Sequence, residues 1–137
     1  GSIELEGNKI YLAHGDLANP EDLGYRRLRQ FLRSKLVRGL IRTLPNRFIM
    51  SIATRASFES RKSSSEKRDR WPAIDILKPY AEAFIETGHD IVITAHYHHP
   101  CHEKVGDGEL IALGDWITQY SYAVYENGSF QLTNYQE

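Results

Sequence analysis

Cysteine is almost absent from this sequence of 137 residues, which contains only Cys101. A single cysteine cannot form an internal disulfide bond, so a disulfide-stapled fold is excluded and a reducing compartment is favoured. Long apolar runs are absent as well, and no stretch approaches the roughly 20 residues that a membrane-spanning helix requires. We therefore expect neither a disulfide scaffold nor a transmembrane protein.

The start of the chain also lacks the pattern of a secretory leader. Charged and polar residues interrupt the apolar positions between Ile3 and Ala13, and together with the single cysteine this pattern leads us to expect a cytoplasmic protein. Gly1 and Ser2 resemble residues left by cloning, and the fold prediction begins at Ile3. Hydrophobic residues make up 41% of the chain and charged residues 26%, which is ordinary for one globular domain.

Charge is distributed unevenly along the chain, although the formal net charge is only −1. Residues 25–70 contain 14 Lys and Arg against 3 Asp and Glu, whereas residues 71–137 contain 2 against 10. A basic block of this kind attracts an anionic partner such as a phosphate, a membrane surface or a nucleic acid. A solvated helical face explains the same pattern without a partner, so charge alone does not decide between them.

Strand patterns lie towards both ends of the chain. Short strands are predicted at Ile3–Leu5 and Lys9–Ala13 around Gly7-Asn8, at Asp90–Ala95, at Glu109–Leu113, and as a hairpin at Tyr120–Tyr125 and Ser129–Asn134 around Asn127-Gly128. Helical patterns fill the middle, so the order of elements predicts an α/β or α+β fold with one mixed sheet.

Three helices are predicted in that middle region. Apolar residues recur at steps of three and four from Gly24 to Leu44, which predicts one amphipathic helix that ends at Pro45. A second is predicted over about 46–57. A third runs from Trp71 to Thr87, with Gly88 as its C-cap and Pro79 as a kink. The segment Glu59–Arg70 is almost wholly serine and charge, which predicts a mobile loop or a segment that a ligand orders.

Five of the six histidines fall between positions 89 and 102. His96 and His98 follow the predicted buried strand, and residues two apart at a strand end point to the same side. His14 follows another strand, and open α/β sheets place ligands at the carboxyl ends of their strands. Because neutral imidazole is a common ligand of zinc, manganese and iron, these three residues are the candidate metal ligands. A surface or core role is the simpler interpretation for His89 and His102.

Four sequence blocks, in this order, resemble those of calcineurin-like metallophosphoesterases, and most of all the UDP-2,3-diacylglucosamine hydrolases of lipid A biosynthesis. The blocks are His14-Gly15-Asp16, Asp22-Leu23-Gly24-Tyr25-Arg26, Ala95-His96-Tyr97-His98-His99-Pro100 and Leu113-Gly114-Asp115-Trp116. The resemblance covers nearly the whole chain. Two positions depart from the pattern, since Ala95 stands where the family has glycine and His99 where it has arginine.

The resemblance implies half of a four-layer αββα sandwich with a basic helical cap inserted at about residues 24–70. It implies that His14, His96 and His98 bind divalent ions, Mn²⁺ above all, and that Asp22, Tyr25 and His99 face a nucleotide-lipid or similar phosphoester. Two ions in the complete family site clamp the phosphoryl group and activate water. The loop Arg61–Arg70 would close over the diphosphate through charge-assisted hydrogen bonds, although a plain solvated loop fits as well.

The family blocks that supply a bridging aspartate, an asparagine ligand and a further histidine have no counterpart in these 137 residues. We therefore expect residues 3–137 to be a single C-terminal region of a longer enzyme, without catalytic residues of its own, holding one ion or none and inactive alone. Exposed edges and apolar faces would then bind the missing N-terminal half or a second copy. Contact with the inner face of the membrane is a further expectation.

Two other classes of function remain as alternatives. One is a basic module that binds nucleic acid or a membrane surface, although the basic block has few interleaved aromatic residues and no DNA-reading motif, so specific nucleic-acid binding is not expected. The other is a metal-binding domain without catalysis. Metal analysis combined with substitution of His96 and His98 separates the two.

Overall fold

The structure is a computed structural model that describes residues 1–56 and 71–136. These residues form two compact units, one of Gly1–Asn19 with Ala73–Glu137 and one of Pro20–Pro72. The serine-rich segment Glu59–Arg70, with its predicted mobile loop, lies outside the described residues.

A five-stranded mixed sheet forms the centre of the first unit. Its strands are β1 (Ser2–Leu5), β2 (Asn8–Leu12), β3 (Ile91–Thr94), β4 (Cys101–Val105) and β5 (Gly108–Ala112), in the order β1-β2-β3-β5-β4. The central strand β3 runs parallel to β2 and β5, and the two edge strands are antiparallel to their neighbours. All four residues of β3 are buried, as its apolar and β-branched sequence predicts.

A second, two-stranded sheet consists of β6 (Ser121–Glu126) and β7 (Ser129–Asn134). Asn127 and Gly128 both have positive φ, 52° and 81°, which is the backbone of a type I′ turn and confirms the predicted hairpin. The turn between β1 and β2 is of the same kind but lies at Glu6 and Gly7 (φ 49° and 85°), one residue before its predicted position. The prediction of one mixed sheet was wrong, because among residues 1–56 and 71–136 the two hairpin strands pair only with each other.

Helices make up the described part of the second unit: α1 (Leu23–Leu32), α2 (Lys35–Thr43) and α3 at residues 46–56. The predicted single helix from Gly24 to Leu44 is two helices. Ser34 has extended backbone, and its hydroxyl accepts a hydrogen bond from the Val37 N–H at 3.3 Å, so it is the N-cap of a new helix. Pro45 separates α2 from α3, as predicted.

The five-stranded sheet is covered on both faces. On one face lies α4 (Ala73–Ile85), whose Leu77 and Ala81 pack on β3 and β5. On the other face, Phe130 and Leu132 of the hairpin pack over the isoleucines of β2, β3 and β5. Gly88, with φ 91°, ends α4 as predicted. The unit is thus a helix, a mixed sheet and a hairpin in three layers, and the chain is of the mixed α/β class.

No helix in residues 1–56 and 71–136 combines the length and the apolar character that crossing a membrane requires.

Candidate metal centre

Two neighbouring parallel strands bring His14 and His96 together. β2 ends at Leu12 and β3 at Thr94, so the residues that follow them leave the same edge of the sheet. His14 Nε2 lies 3.2 Å from His96 Nδ1. The two rings meet edge-on at 77°, with centroids 5.0 Å apart. Histidines 82 positions apart in sequence therefore meet because the strands before them are paired.

Backbone contacts hold the two histidine loops against each other. The Ala95 N–H donates to the His14 carbonyl at 3.2 Å, and the Ala13 N–H donates to the Ile93 carbonyl at 3.1 Å. Gly15 has φ 90°, and a Cβ there would touch Thr94 Cβ at 3.4 Å. A left-handed conformation at this close approach favours glycine, since any side chain adds strain.

The loop after β3 has an unusual backbone. His96 and His98 have φ of 60° and 51°, a region that non-glycine residues seldom occupy and that costs of order 1 kcal/mol or more. The strand ends at Thr94, so the reasoning from strand alternation was wrong: the two side chains do not point to one side of an extended segment. His96 faces His14, whereas His98 faces Asp115.

The nitrogen pair of His14 and His96 fits a shared cation. Two imidazole nitrogens on one tetrahedral or octahedral ion lie roughly 3.0–3.4 Å apart, and the observed separation is 3.2 Å. Without a cation, a neutral pair at this distance shares one proton as a hydrogen bond. Within the described ranges 1–56 and 71–136, no group of three or more His, Cys, Asp or Glu side chains is arranged to hold a metal ion. The described residues thus bring the nitrogens of His14 and His96 together, while His98 lies beside Asp115.

His98 is held by a turn that follows β5. Its Nδ1 lies 3.5 Å from Oδ2 of Asp115, whose side chain is only 10% exposed. Oδ1 of the same carboxylate accepts the N–H groups of Ile117 at 2.8 Å, Thr118 at 2.5 Å and Gln119 at 3.2 Å. The hydrogen bond from the Thr118 N–H, joined by the others, holds the pKa of Asp115 well below its usual range against the opposing effect of burial.

Sequence reasoning did not single out Asp115 as a functional residue. In the sequence, Asp115 is only one member of the block Leu113-Gly114-Asp115-Trp116. Its contact with His98 depends on how the β4–β5 hairpin between them folds. An aspartate followed by Trp-Ile-Thr-Gln is the available signal, because aspartate accepts backbone N–H groups two and three residues ahead.

The predicted substrate residues lie in both units. In the second unit, Asp22 is the N-cap of α1, and its Oδ1 accepts the Tyr25 N–H at 3.0 Å. In the first unit, His99 is exposed in the loop between β3 and β4. The role of all three residues in substrate binding stays a prediction.

The other two histidines have structural partners. His89 contacts the Phe84 carbonyl through Nδ1 at 3.1 Å and the Ser2 hydroxyl through Nε2 at 2.9 Å. His102 pairs with Glu109 at 2.8 Å across the β4–β5 ladder.

Comparison with known proteins finds no matching protein-family model but several curated relatives. A UDP-2,3-diacylglucosamine hydrolase of Aeromonas salmonicida is 32% identical over 135 residues, which are 95% of this chain and 52% of the relative. Proteins of the same name from Pseudomonas fluorescens and Pseudomonas aeruginosa are each 32% identical, over 95% and 94% of this chain and 53% and 55% of their own length.

The chain therefore spans about half the length of the curated relatives it matches. Their similarity extends through both histidine loops, since the matches cover nearly all of the 137 residues. This protein is a homologue of the UDP-2,3-diacylglucosamine hydrolases, and it corresponds to one half of them.

Proposed function

We propose that this chain is the C-terminal, metal-binding half of a calcineurin-like phosphoesterase that hydrolyses the diphosphate of UDP-2,3-diacylglucosamine or of a similar phosphoester. The observation that carries the proposal is the 3.2 Å approach of His14 Nε2 to His96 Nδ1 from two adjacent strand ends. The names of the relatives supply the substrate class.

In this proposal His14, His96 and His98 bind divalent ions, with Mn²⁺ as the expected metal. Bound ions supply Lewis acidity that polarises the phosphoryl oxygens and activates water. The chain contributes the positions of its imidazoles: paired strands and the bonds between the two loops fix His14 against His96 before any ion arrives. Such preorganisation lowers the cost of assembling the site when the ion binds.

Further ligands must come from outside these residues, because two imidazoles do not form the carboxylate-bridged pair of the family. We propose that the missing N-terminal half, or a second copy of the chain, supplies them, and that the isolated chain is inactive. The edge strand β1 supports this, since Ile3 is 49% exposed there and strand edges pair readily. The hairpin would then be the start of the second sheet of a four-layer αββα sandwich.

The second unit is proposed to bind the lipid part of the substrate. Leu28, Phe31 and Leu36 of α1 and α2 are between 53% and 76% exposed, and arginines share the same helices. Such helices suit acyl chains or an anionic membrane surface, and we propose that the enzyme acts in the cytoplasm at the inner face of the membrane. Asp22, Tyr25 and His99 are proposed to contact the phosphoester.

Metal binding is tested first, by titrating Mn²⁺ into the metal-free chain and into His14→Ala, His96→Ala and His102→Ala variants. His102 is the matched control, because its partner is Glu109 and it lies on β4. We expect His14→Ala and His96→Ala to weaken binding by about 10-fold or more and His102→Ala to leave it unchanged. Binding that is indifferent to both His14 and His96 would refute the site.

Activity is tested by following UMP release from UDP-2,3-diacylglucosamine with added Mn²⁺. We expect no turnover from the chain alone and turnover when the N-terminal half of a relative is added. A His96→Ala chain added to the same half is the control and should remain inactive. Robust turnover by the isolated 137 residues would contradict the proposal that ligands are missing.

A further inference from the structure

The turn formed by residues 115–119, here called the Asp115 turn, is tightly constrained. Asp115 Oδ1 accepts three backbone N–H groups of the turn itself, and the Thr118 hydroxyl lies 2.9 Å from Oδ2. The Asp115 N–H donates to Gln119 Oε1 at 3.0 Å, which closes the turn from the other side. A side chain at Gly114 would collide with Gln119 Oε1 and with the Ser121 hydroxyl, so this packing requires glycine.

Two separate contacts connect the Asp115 turn to His98. One is the approach of Asp115 Oδ2 to His98 Nδ1 at 3.5 Å. The other is the Gln119 side-chain amide, which donates to the His98 carbonyl at 3.3 Å. The first contact acts on the ring and the second on the backbone, at a residue held at φ 51°. The turn therefore contacts His98 at two points, with the carboxylate beside the ring and the amide on the backbone.

We infer that Asp115 and Gln119 are positioning residues for His98, which they hold with the proton on Nδ1 and the lone pair of Nε2 free to bind a cation. A carboxylate only accepts hydrogen bonds, so it favours the tautomer with a proton on the facing nitrogen. The opposite nitrogen then carries the lone pair, and the His98 side chain is 53% exposed. The inference rests on the proposed function, because it takes His98 to be a metal ligand.

The tautomer of His98 is measurable without metal, from two-bond ¹H–¹⁵N spectra of the full 137-residue chain at mildly alkaline pH. We expect the Nδ1-protonated form in the wild type. In Asp115→Asn, the amide oxygen replaces Oδ1 as acceptor for the turn, while the amide NH₂ donates to Nδ1 and shifts the proton to Nε2. Asp107→Asn removes the same charge from an exposed turn and should leave His98 unchanged.

Mn²⁺ affinity is the second measurement on the same variants. Substitution of a residue that orients a metal ligand weakens binding by about 10- to 100-fold, and we expect Asp115→Asn to fall in that range while Asp107→Asn binds as the wild type does. If Asp115→Asn does not fold, Gln119→Ala replaces it, since that change keeps the carboxylate while it removes the contact with the His98 carbonyl and the acceptor of the Asp115 N–H. Gln119→Ala should keep the tautomer and bind Mn²⁺ several-fold more weakly.

A wild-type His98 protonated on Nε2, or one whose tautomer and Mn²⁺ affinity are the same in Asp115→Asn, overturns the inference. Unchanged affinity in Gln119→Ala overturns the role of Gln119. Failure of the proposed function is a different result: the wild type would then bind no Mn²⁺, while the tautomer in the metal-free chain would still decide whether Asp115 positions His98.

Discussion

Tyr80 of α4 lies in a cluster of rings on the helix-covered face of the sheet. Phe84 stacks on Tyr11 with centroids 3.7 Å apart, and Tyr80 meets Phe84 edge-on at 5.1 Å. Burial, followed by a hydrogen bond with Tyr11, raises the pKa of Tyr80 to about 12. The neutral phenol is therefore favoured more strongly in the folded protein than in the unfolded chain.

Because the pKa of Tyr80 is higher in the folded protein than in the unfolded chain, the free energy of unfolding depends on pH in the alkaline range. The contribution of Tyr80 is fully present below the unfolded tyrosine pKa of about 10 and is lost as pH rises towards the folded value. We expect the wild type to lose stability relative to Tyr80→Phe across that alkaline window, in urea unfolding at a series of pH values. Tyr135→Phe, at an exposed ring, is the control. Parallel pH curves for the wild type and Tyr80→Phe would contradict the expectation.

Gly108 is a residue whose surroundings leave no room for a side chain. A Cβ at this position would lie 2.6 Å from the Asp90 carbonyl oxygen and 2.9 Å from Ile85 Cγ1. The carbonyl belongs to the backbone before β3 and cannot move cheaply, so Gly108→Ala should destabilise the fold by about 1–3 kcal/mol.

The matched change is Gly39→Ala in α2, where a Cβ meets nothing within 4 Å. Alanine favours an exposed helix over glycine by about 0.5–1 kcal/mol, so this variant should be more stable than the wild type. Urea unfolding measures both. A Gly108→Ala variant as stable as the wild type would show that β5 and the start of β3 are not packed as described.

At the scale of elements, α2 depends on the side chain that begins it. Ser34 satisfies the Val37 N–H, and removal of an N-cap hydroxyl costs roughly 1 kcal/mol. We expect Ser34→Ala to lower helical content in far-UV circular dichroism and to unfold at lower temperature. Ser51→Ala, at an exposed position inside α3, is the control and should change stability little. Equal effects of the two substitutions would argue that α1 and α2 are one helix in solution.

Sequence patterns predicted the elements whose signals are local. The hairpin at Asn127-Gly128 follows from turn chemistry, and β3 follows from a short apolar run. Two predictions of helices and strands were wrong, and each error has a physical reason. The apolar period continues through Ser34, so periodicity alone joined α1 to α2. β4 was not predicted, because it is an edge strand whose charged side chains pair across the surface, as Lys78 with Glu103 at 2.7 Å.

In the candidate site, too, the parts that depend on local sequence signals could be predicted, and the parts that depend on tertiary contacts could not. His14 and His96 meet because each follows a strand, and both strands could be predicted from local sequence patterns. The His98–Asp115 contact depends on a loop with left-handed residues and on a turn after β5. The spacing of apolar residues predicts neither of them. Local sequence patterns therefore locate the histidines that follow strands, but they miss Asp115, whose contact with His98 depends on the tertiary fold.

At the scale of the whole molecule, the exposed edge β1 predicts association. A charged residue on a strand edge opposes edge-to-edge pairing, so Ile3→Lys should shift the chain towards monomer in sedimentation equilibrium. Ile117→Lys, at a residue that is 72% exposed and outside the strands, is the control. A wild-type chain that is monomeric at every concentration tested would argue against association through this edge.

The left-handed backbone at His96 and His98 has an evolutionary consequence. Glycine, or asparagine, would occupy both positions with less conformational energy, yet neither offers an imidazole. A related sequence that carries either residue is expected to be more stable in this loop, since substitutions that relieve backbone strain commonly stabilise a protein. Such a sequence would also lack the imidazoles of the proposed site, so weaker Mn²⁺ binding should accompany its gain in stability.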